Sequence, residues 1–556
     1  MATTLTPEQT RVQDGLFVAQ CSLAGLRDRL PLAWPTPPDT PPSPKKRYRS
    51  CYVHLGWQEL EDPSLRQQFS PFDLLLRLVD FSGLRPVLAQ LQGWTSARGW
   101  IPFDPVSLFL LSGWQIVKRW TRAETLRNLR QPRYADYAQR FGFREGVFPT
   151  EGGLRHFLTS LGQHTAAPDE SVALQVADQR VDVARQPLNR LLAQAVQLMR
   201  QAALFSPQAW QQALVCPDGQ LHDAASRMRC SAVTDSCYQP TSTKQPRPCP
   251  AKEKGLRGCD CDSLECVRSC RYATPRDRDA RFVYYAPDNQ EHPPEHPGQA
   301  HYGYRSLPLR LADPQRRFSV TLLDTVLPAN QREEVPAAAL LLQLAHYYPT
   351  LTVAAVAADA GLGYELFLHT TYAQLHARRI VAQRRHQTDA QKDAWPLRGY
   401  DDQGRPLCPF GYAFCANGFD RQRQRLKWIC AQACLKGSEP RVCLPNVTYP
   451  PPECPYQAPD HPYGRILNLG ERFPDGSMRL ARDLPVGTPA WKTLYHRGRN
   501  AVEGRNATME DWRLKRLPVY GLPRSSATLF LADTFDTLIT LARLIREATA
   551  AALEDP

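Results

Sequence analysis

The chain has 556 residues, a length that corresponds to three or four domains of ordinary size. Its 68 Lys and Arg residues outnumber 55 Asp and Glu residues, and the net charge of +13 favours a polyanionic partner, DNA or RNA, although such a surplus also serves solubility. We find no secretory signal pattern and no run of about 20 uninterrupted apolar residues, so we expect an intracellular, cytoplasmic protein without a membrane span.

Residues 1–60 are predicted to form a helix followed by a linker. The pattern over 1–30 is helical, and residues 31–44 then contain seven prolines, which favours an extended chain. The basic run Lys45-Lys-Arg-Tyr-Arg49 closes the linker. It either contacts phosphates or is a solvated linker end.

Residues 61–205 are predicted to form a helical domain. Pro105 follows Asp104 as at a helix start, and Thr121-Arg-Ala-Glu124 has the form of a capping box. A longer helical region is predicted over 169–204, with Pro187 as the point at which it could be interrupted. Short helices joined by tight turns suit a DNA-contacting module of the helix-turn-helix kind, and a purely structural bundle fits the same pattern.

After residue 205 the pattern changes to that of a mixed α/β sheet. Apolar runs in 213–216, 302–311, 317–325 and 351–358 indicate strands, and the run 337–348 indicates a helix. We therefore predict one α/β domain from residues 206–399 and 486–556, closed by an apolar helix at about 526–553. The segments at about 235–300 and 400–485 are rich in Pro, Cys and charge and are predicted to be inserts.

Most of the sixteen cysteines lie in these two inserts. In the second insert, two pairs flank a basic, aromatic strand pair predicted over 418–428, as in a zinc ribbon in which four thiolates bind one Zn²⁺. The pairs are Cys408 with Cys415 and Cys430 with Cys434. Free thiols are the alternative.

The first insert has a denser and less regular cysteine group that is a candidate for a second zinc site, again with free thiols as the alternative. Its spacing includes C-x-C and not the redox-active C-x-x-C, which disfavours a thiol oxidoreductase. The group consists of Cys259, Cys261, Cys266 and Cys270.

Three carboxylates point to metal chemistry. Asp218 and Asp359 each end an apolar, strand-like run, and Glu503 follows Arg499 by one turn of a basic helix. Carboxylates of this kind bind divalent ions such as Mg²⁺ or Mn²⁺. An ordinary surface ion pair between Arg499 and Glu503 is the simpler alternative. Asp223 and Asp235 compete with Asp218 for the first position.

The residues around these carboxylates resemble the DDE transposases of bacterial insertion sequences, which have an RNase H-like catalytic domain. Asp359-Ala-Gly-Leu-Gly-Tyr364 resembles the second acidic motif, and Arg499-x3-Glu503 resembles the core of the third, Tyr-x2-Arg-x3-Glu-x6-Lys. Residues 65–165 resemble the helical domain that precedes many such catalytic domains. The insert at 400–485 stands where some families interrupt the fold, between its last strand and the Glu-bearing helix.

The third motif departs from the family pattern on both sides of its core. Tyr495 lies one residue too early, and His496 stands at the tyrosine position. Glu510 stands at the lysine position, with Lys515 the next lysine along the chain. The resemblance therefore supports the carboxylate more firmly than its neighbours.

The resemblance implies an enzyme that cleaves DNA and transfers strands at the ends of a mobile element, without a covalent intermediate. Asp218, Asp359 and Glu503 are then the ligands of two Mg²⁺ or Mn²⁺ ions. Arg499 and Arg505 are expected to neutralise phosphates or orient Glu503, with Arg499 the better placed.

The implied partners are the terminal inverted repeats of the element and the target DNA, bound by a homodimer or higher assembly, and the implied location is nucleoid-associated. Two alternatives stay open. One is an RNase H-like nuclease without strand transfer, and the other is a zinc-dependent DNA-binding protein derived from a transposase.

Overall fold

The computed structural model describes most of the helical N-terminal region, the sheet and the two C-terminal helices. The described residues are 7–163, 171–176, 179–225, 277, 279–285, 299–382, 399–400, 405–420, 425–437, 454, 456, 460–470 and 489–554. Several candidate site residues lie outside them, namely Asp235, Cys259, Cys261, Cys266 and Cys270.

The N-terminal region consists of short helices whose starts follow local sequence signals. The capping box predicted at Thr121 and Glu124 is confirmed, because each side chain accepts a hydrogen bond from the other residue's backbone N–H. Asp104 likewise accepts from Val106 N at the start of a helix whose first residue is Pro105. These helices are α1 Pro7–Cys21, α2 Leu23–Leu26, α3 Pro63–Gln68, α4 Pro71–Leu78, α5 Leu84–Leu91, α6 Pro105–Val117, α7 Arg122–Leu129, α8 Ala135–Arg140 and α9 Glu151–Gln163.

The first thirty residues do not form the single helix that we expected. Helix α1 ends at Cys21, and the Ser22 hydroxyl accepts from Gly25 N to start the short α2. A serine side chain favours a cap over a helix interior because it competes for backbone hydrogen bonds. The proline-rich segment then begins as strand β1, Leu32–Ala33, which pairs with β2, Val79–Asp80.

The predicted long helix over 169–204 is wrong in its first half. Strands β3, Ser171–Val176, and β4, Gln179–Ala184, form an antiparallel hairpin there, and only α10, Asn189–Gln201, is helical. Apolar residues alternate with polar ones along both strands, which is the period-two pattern of a strand. The helical prediction overlooked this change of period.

The predicted mixed α/β sheet is present as a five-stranded sheet with the order β10-β9-β5-β12-β13. Strands β5, β12 and β13 run parallel to one another, whereas β9 is antiparallel to both β5 and β10. The five strands are β5 Ala213–Pro217, β9 Leu309–Asp313, β10 Phe318–Leu323, β12 Val353–Ala358 and β13 Arg378–Val381.

A second, antiparallel sheet continues three of these strands beyond a bend. It has the order β11-β8-β6, with β7 paired to β8, and the chain passes from one sheet to the other at residues 218–219, 307–308 and 324–325. The strands are β6 Gln220–Asp223, β7 Arg281–Tyr285, β8 Gln299–Ser306 and β11 Val326–Pro328. Asp218 therefore lies at the bend between β5 and β6.

Five of the helices that the structure describes accompany the sheet along the chain. The two longest, α14 and α15, close the described chain, and the predicted C-terminal helix is present but starts earlier, at Leu522. The helices are α11 Pro207–Gln211, α12 Glu334–Tyr347, α13 Glu365–His369, α14 Pro489–Asp511 and α15 Leu522–Glu554.

One apolar core joins the N-terminal helices to the sheet. Helix α15 packs against α1, α4, α6, α9 and α10 as well as β10. Gly113 of α6 lies directly on the Phe535 ring, where a Cβ would stand 2.0 Å from a ring carbon. This position therefore requires glycine, and the two helices approach each other closely there.

The insert before α14 contains small sheets. The strand pair predicted over 418–428 corresponds to the antiparallel strands β16 and β17. A third strand, β18, pairs with β17. Its strands are β14 Gly399–Tyr400, β15 Pro406–Leu407, β16 Cys415–Asp420, β17 Arg425–Ile429 and β18 Ile466–Gly470.

None of the helices that the structure describes combines the length and the apolar character that a membrane crossing requires.

Candidate active site

Asp218 and Asp359 lie side by side at one edge of the five-stranded sheet. Val215 of β5 pairs with Val356 of β12 in parallel register, and each aspartate follows its valine by three residues. Neighbouring strands lie about 4.8 Å apart, so the two carboxylates emerge as a pair from the carboxyl ends of adjacent strands. This placement arises because β5 and β12 are parallel and in register.

The loop after β12 holds Asp359 in place. Its side chain accepts from Leu362 N at 3.3 Å and thereby caps a 3₁₀ turn, Ala360–Leu362. A Cβ on Gly361 would lie 3.1 Å from a carboxylate oxygen of Asp359. The motif Asp359-Ala-Gly-Leu-Gly thus turns the chain tightly around the carboxylate without crowding it.

Helix α14 crosses this edge through a glycine contact. It packs against β5, β9 and β12, and a Cβ on Gly498 would lie 2.5 Å from Ala357 Cβ and 3.4 Å from Cys216 Cβ. The absence of a side chain at position 498 lets the helix backbone rest on the two strands that end in the aspartates. Arg499 and Glu503 are delivered to the site by this contact.

Arg499 forms the central ion pair of the site. One guanidinium nitrogen lies 2.7 Å from Asp218 Oδ2, and the other lies 3.9 Å from Glu503 Oε1, one helical turn away. Burial opposes the charge on Arg499, but Asp218 and the other acidic groups around it, Asp359 among them, together outweigh that effect and raise the pKa of the guanidinium. Arg499 therefore stays charged and links two of the three predicted carboxylates.

The carboxyl group of Asp218 has a raised pKa. Its side chain is only 11% exposed, and this burial raises its pKa from 3.8 to about 7. The Arg499 charge lowers the pKa, whereas the nearby Asp359 and Glu333 charges raise it further. Arg499 therefore offsets only part of the effect of burial on Asp218, which shares the site with two further carboxylates.

Glu333 is a site residue that our sequence reasoning missed. Its carboxylate lies against the backbone of Gly219, where a Cβ would stand 2.6 Å from Glu333 Oε1. Burial raises the pKa of Glu333, the ion pair with Arg305 at 2.7 Å lowers it, and Asp359 raises it again. The available signal was an acidic residue immediately before the helix that leads into β12.

Glu503 lies at the open side of the site. Its side chain is 62% exposed, in contrast to the buried Asp218, and its ion-pair contact with Arg499 is long, at 3.9 Å. Among the described residues, no three His, Cys, Asp or Glu side chains are arranged to share a metal ion. An ion at this site therefore requires side-chain movement, and the exposed Glu503 has the most room to move.

Arg505 does not fulfil the expected role of contacting phosphates or orienting Glu503. Its side chain is fully buried, with two nitrogens each donating to Asp533 at 2.9 Å and a third donating to Gln220 and Ser306. Because it lies two residues after Glu503, it points about 200° around the helix from that carboxylate. Arg505 therefore anchors α14 to α15 and β6 instead.

The acids around Arg505 differ in protonation. Burial and the neighbouring Asp533 charge raise the pKa of Asp324 well above its ordinary value. Burial opposes ionisation of Asp533 as well, but the Arg505 charge and hydrogen bonds overcome it and lower the pKa. One charged aspartate thus balances one buried arginine, as a buried ion pair requires.

Asp223, a rival for the first catalytic position, lies away from this edge. It ends β6 in the second sheet, and its carboxylate is 3.0 Å from His301 Nδ1. The other rival, Asp235, is outside the described residues. Of the alternatives that the structure describes, Asp218 is the one placed beside Asp359.

The cysteines of the second insert are brought together in part. Cys408, Cys430 and Cys434 line a small cavity together with Cys454, whereas Cys415 is exposed on β16 and does not line it. We had not assigned Cys454 to the site, because its long separation from the other cysteines gave no spacing signal. The cysteines of the first insert lie outside the described residues.

Cys216 lies beneath the site and is not a nucleophile. Burial and the neighbouring Asp218 carboxylate raise the pKa of its thiol well above the ordinary value. The protonated thiol is a poor nucleophile, because the thiolate is the reactive form. The site therefore consists of clustered carboxylates around one arginine, with a protonated thiol beneath them.

No protein-family model matches the chain, and a comparison with curated proteins finds no similar sequence.

Proposed function

We propose that this protein is a DDE transposase, which cleaves DNA and transfers strands at the ends of a mobile element. One observation carries the proposal: Asp218 and Asp359 end adjacent parallel strands, and Glu503 reaches the same edge from a helix packed on those strands. The sequence motifs around Asp359 and Glu503 that resemble the family are the ones that meet at this edge.

The order of the strands supports an RNase H-like catalytic domain. Within the five-stranded sheet, β5, β9 and β10 are antiparallel neighbours in chain order, and β12 and β13 follow on the other side of β5 and run parallel to it. The insert then separates β13 from α14, which is where some transposase families interrupt the fold. This arrangement is the one that the resemblance implies.

The carboxylates fit Mg²⁺ or Mn²⁺, which prefer hard oxygen ligands. Such ions lower the pKa of an attacking water or 3′-hydroxyl and stabilise the leaving oxygen. Asp218, Asp359 and Glu503 are the proposed ligands. Arg499, paired with Asp218, is placed to neutralise a phosphate once a cation takes over the charge of that carboxylate.

DNA is the proposed partner. The net charge of +13 supplies attraction to phosphates that does not depend on sequence, and the N-terminal helices would add recognition of the element ends. Since transposition joins two ends, a homodimer or higher assembly on DNA is part of the proposal.

The test uses the full chain with duplex DNA taken from the sequence that flanks its coding region, in the presence of Mg²⁺. We expect Asp359→Asn and Glu503→Gln each to reduce cleavage and strand transfer to background and to leave DNA binding intact. The matched control is Glu510→Gln, which removes an exposed carboxylate from the same helix. Among the described residues, its ion pair is with the exposed Lys515, at 3.1 Å.

The same assay separates the alternatives. Cleavage without joining of supplied 3′-hydroxyl ends would indicate a nuclease, and binding without cleavage would indicate a DNA-binding protein. Full activity of either carboxylate variant, or equal loss in Glu510→Gln, would overturn the proposed site.

A further inference from the structure

Four cysteines of the insert are among the residues that line one small cavity. Its volume is about 30 Å³, and Cys408, Cys430, Cys434 and Cys454 all line it. A volume of this size holds about one water-sized sphere, so it suits a single ion and not an organic ligand. The four residues come from three separate parts of the insert, so the fold and not the sequence spacing brings them together.

Two of the turns around the cavity direct backbone N–H groups at sulfur. The N–H groups of Phe410 and Tyr412 interact with the Cys408 sulfur, and those of Gln432 and Arg465 interact with the Cys430 sulfur. Burial raises the pKa of both thiols, and these N–H groups offset only part of that rise. Amide donors converging on a sulfur stabilise a thiolate, the form that binds metal.

The backbone of both turns adopts the left-handed conformation that this arrangement requires. Gly411 has φ +87°, and Gln432 has φ +53° although it carries a side chain. Gln432 is buried, and its amide donates to His461 O at 2.6 Å, which holds the turn in this conformation. A non-glycine residue in this region is uncommon and occurs where the surrounding structure requires it.

Few of the insert's side chains whose burial the structure describes are both apolar and buried. They are Leu407, Phe414 and Leu467. Small units of this kind usually need a metal or a cross-link because they cannot bury enough apolar surface.

The backbone holds Cys430 in place. The end of β17 is tied to the start of β18 at Cys430, whose N–H donates to Arg465 O at 2.8 Å.

We propose that Cys408, Cys430, Cys434 and Cys454 bind one structural Zn²⁺, with Cys454 taking the place that sequence spacing assigned to Cys415. The sulfurs are not yet in coordination geometry, since the described residues contain no ready metal-ligand group. Ligation therefore requires the four thiol side chains to turn inward into the cavity that they line. The proposal does not depend on the transposase function.

The variant test compares the zinc content of the full-length protein, measured by elemental mass spectrometry, for Cys454→Ser and Cys415→Ser. We expect Cys454→Ser to lose one zinc per chain relative to the unaltered protein and Cys415→Ser to lose none. Substitution with Co²⁺ should show thiolate-to-cobalt charge-transfer absorption that falls in Cys454→Ser alone. Loss of zinc in Cys415→Ser alone, or in neither variant, would overturn the ligand set.

Alkylation of the unaltered protein avoids any dependence on variant folding. With zinc bound, we expect Cys408, Cys430, Cys434 and Cys454 to resist iodoacetamide and to become labelled after a chelator is added. Cys415 and Cys51, which are exposed, should be labelled in both states. Equal labelling of all six before chelation would contradict the site, and protection of Cys415 would contradict the proposed ligand set.

Discussion

The ionised form of Asp218 destabilises the folded protein because its carboxylate is buried at the site. Burial raises its pKa from 3.8 to about 7, because the effect of burial exceeds the lowering by Arg499, and the Asp359 and Glu333 charges add to the rise. Between these two values, the folded state keeps a proton that the unfolded state has lost. The contribution of Asp218 to the stability of the fold is therefore full below pH 3.8. It falls as the pH rises from there and is lost once the pH has passed about 7.

Replacing Asp218 by Asn should stabilise the cation-free protein at alkaline pH. Each unit of pKa difference corresponds to about 1.4 kcal/mol, so the gain at pH 8.5 is at most about 4 kcal/mol and should vanish near pH 4. The measurement is urea unfolding in EDTA at both pH values. A constant difference between the two proteins would show that Asp218 does not titrate in this way.

Glu333 is a second carboxylate whose effect can be measured at the residue scale. We expect Glu333→Gln to raise the Mg²⁺ concentration needed for half-maximal cleavage roughly 10- to 100-fold. The reason is that the native Glu333 carboxylate adds negative charge beside Asp359 and is held there by Arg305. Excess Mn²⁺ should restore part of the activity. An unchanged Mg²⁺ requirement, with Glu510→Gln as the reference, would limit Glu333 to a structural role.

At the scale of elements, buried contacts along one face position helix α14. Gly498 allows its backbone to rest on β5 and β12, and the buried Arg505, two turns further along the same face, ties the helix to Asp533 of α15. Breaking a buried ion pair of this kind typically costs about 3–5 kcal/mol. The exposed Glu503 thus depends on buried contacts made by its neighbours on the same helix.

Two glycines of α14 give a matched pair of substitutions. Gly498→Ala should destabilise the protein by about 1–3 kcal/mol and reduce cleavage, because the new Cβ overlaps Ala357 and forces the helix outward. Gly504→Ala has open space around its Cβ and should instead stabilise the helix by about 0.5–1 kcal/mol. Unfolding free energies and cleavage rates of both variants test this, and equal effects at the two positions would refute it.

At the scale of the whole molecule, α15 unites the N-terminal helices and the sheet into one core. The Phe535 ring lies 4.8 Å from Phe109 and 5.9 Å from Phe72, while α15 also packs on β10. Because the same helix completes both regions, we expect them to unfold together and not as separate domains.

Replacing Phe535 by Ala should lower the free energy of unfolding by about 3–5 kcal/mol. The loss should appear as one shifted transition, followed in parallel by tryptophan fluorescence and by far-ultraviolet circular dichroism in urea. Leu55→Ala is the control, since Leu55 is exposed and its removal should change stability by less than about 0.5 kcal/mol. Two separated transitions in the variant would contradict a shared core.

Local signals in the sequence predicted much of what local physics decides. The caps of α6 and α7, the strand pattern after residue 205, the terminal helix and the acidic ends of β5 and β12 all follow from residue order and hydrophobic period. The mistaken helix over β3 and β4 arose where a short period-two pattern was read as part of a longer helix. Such patterns are ambiguous over a few residues.

Contacts between distant parts of the chain were decided only by the tertiary structure. The sequence by itself determined Asp218, Asp359, Arg499 and Glu503 as candidates, because each stands in a recognisable local pattern. Glu333, the buried Arg505 and the cavity position of Cys454 depend on parallel strand register, helix packing and turns that bring remote residues together. No spacing rule encodes these approaches, since they result from how the elements pack and not from how each one forms.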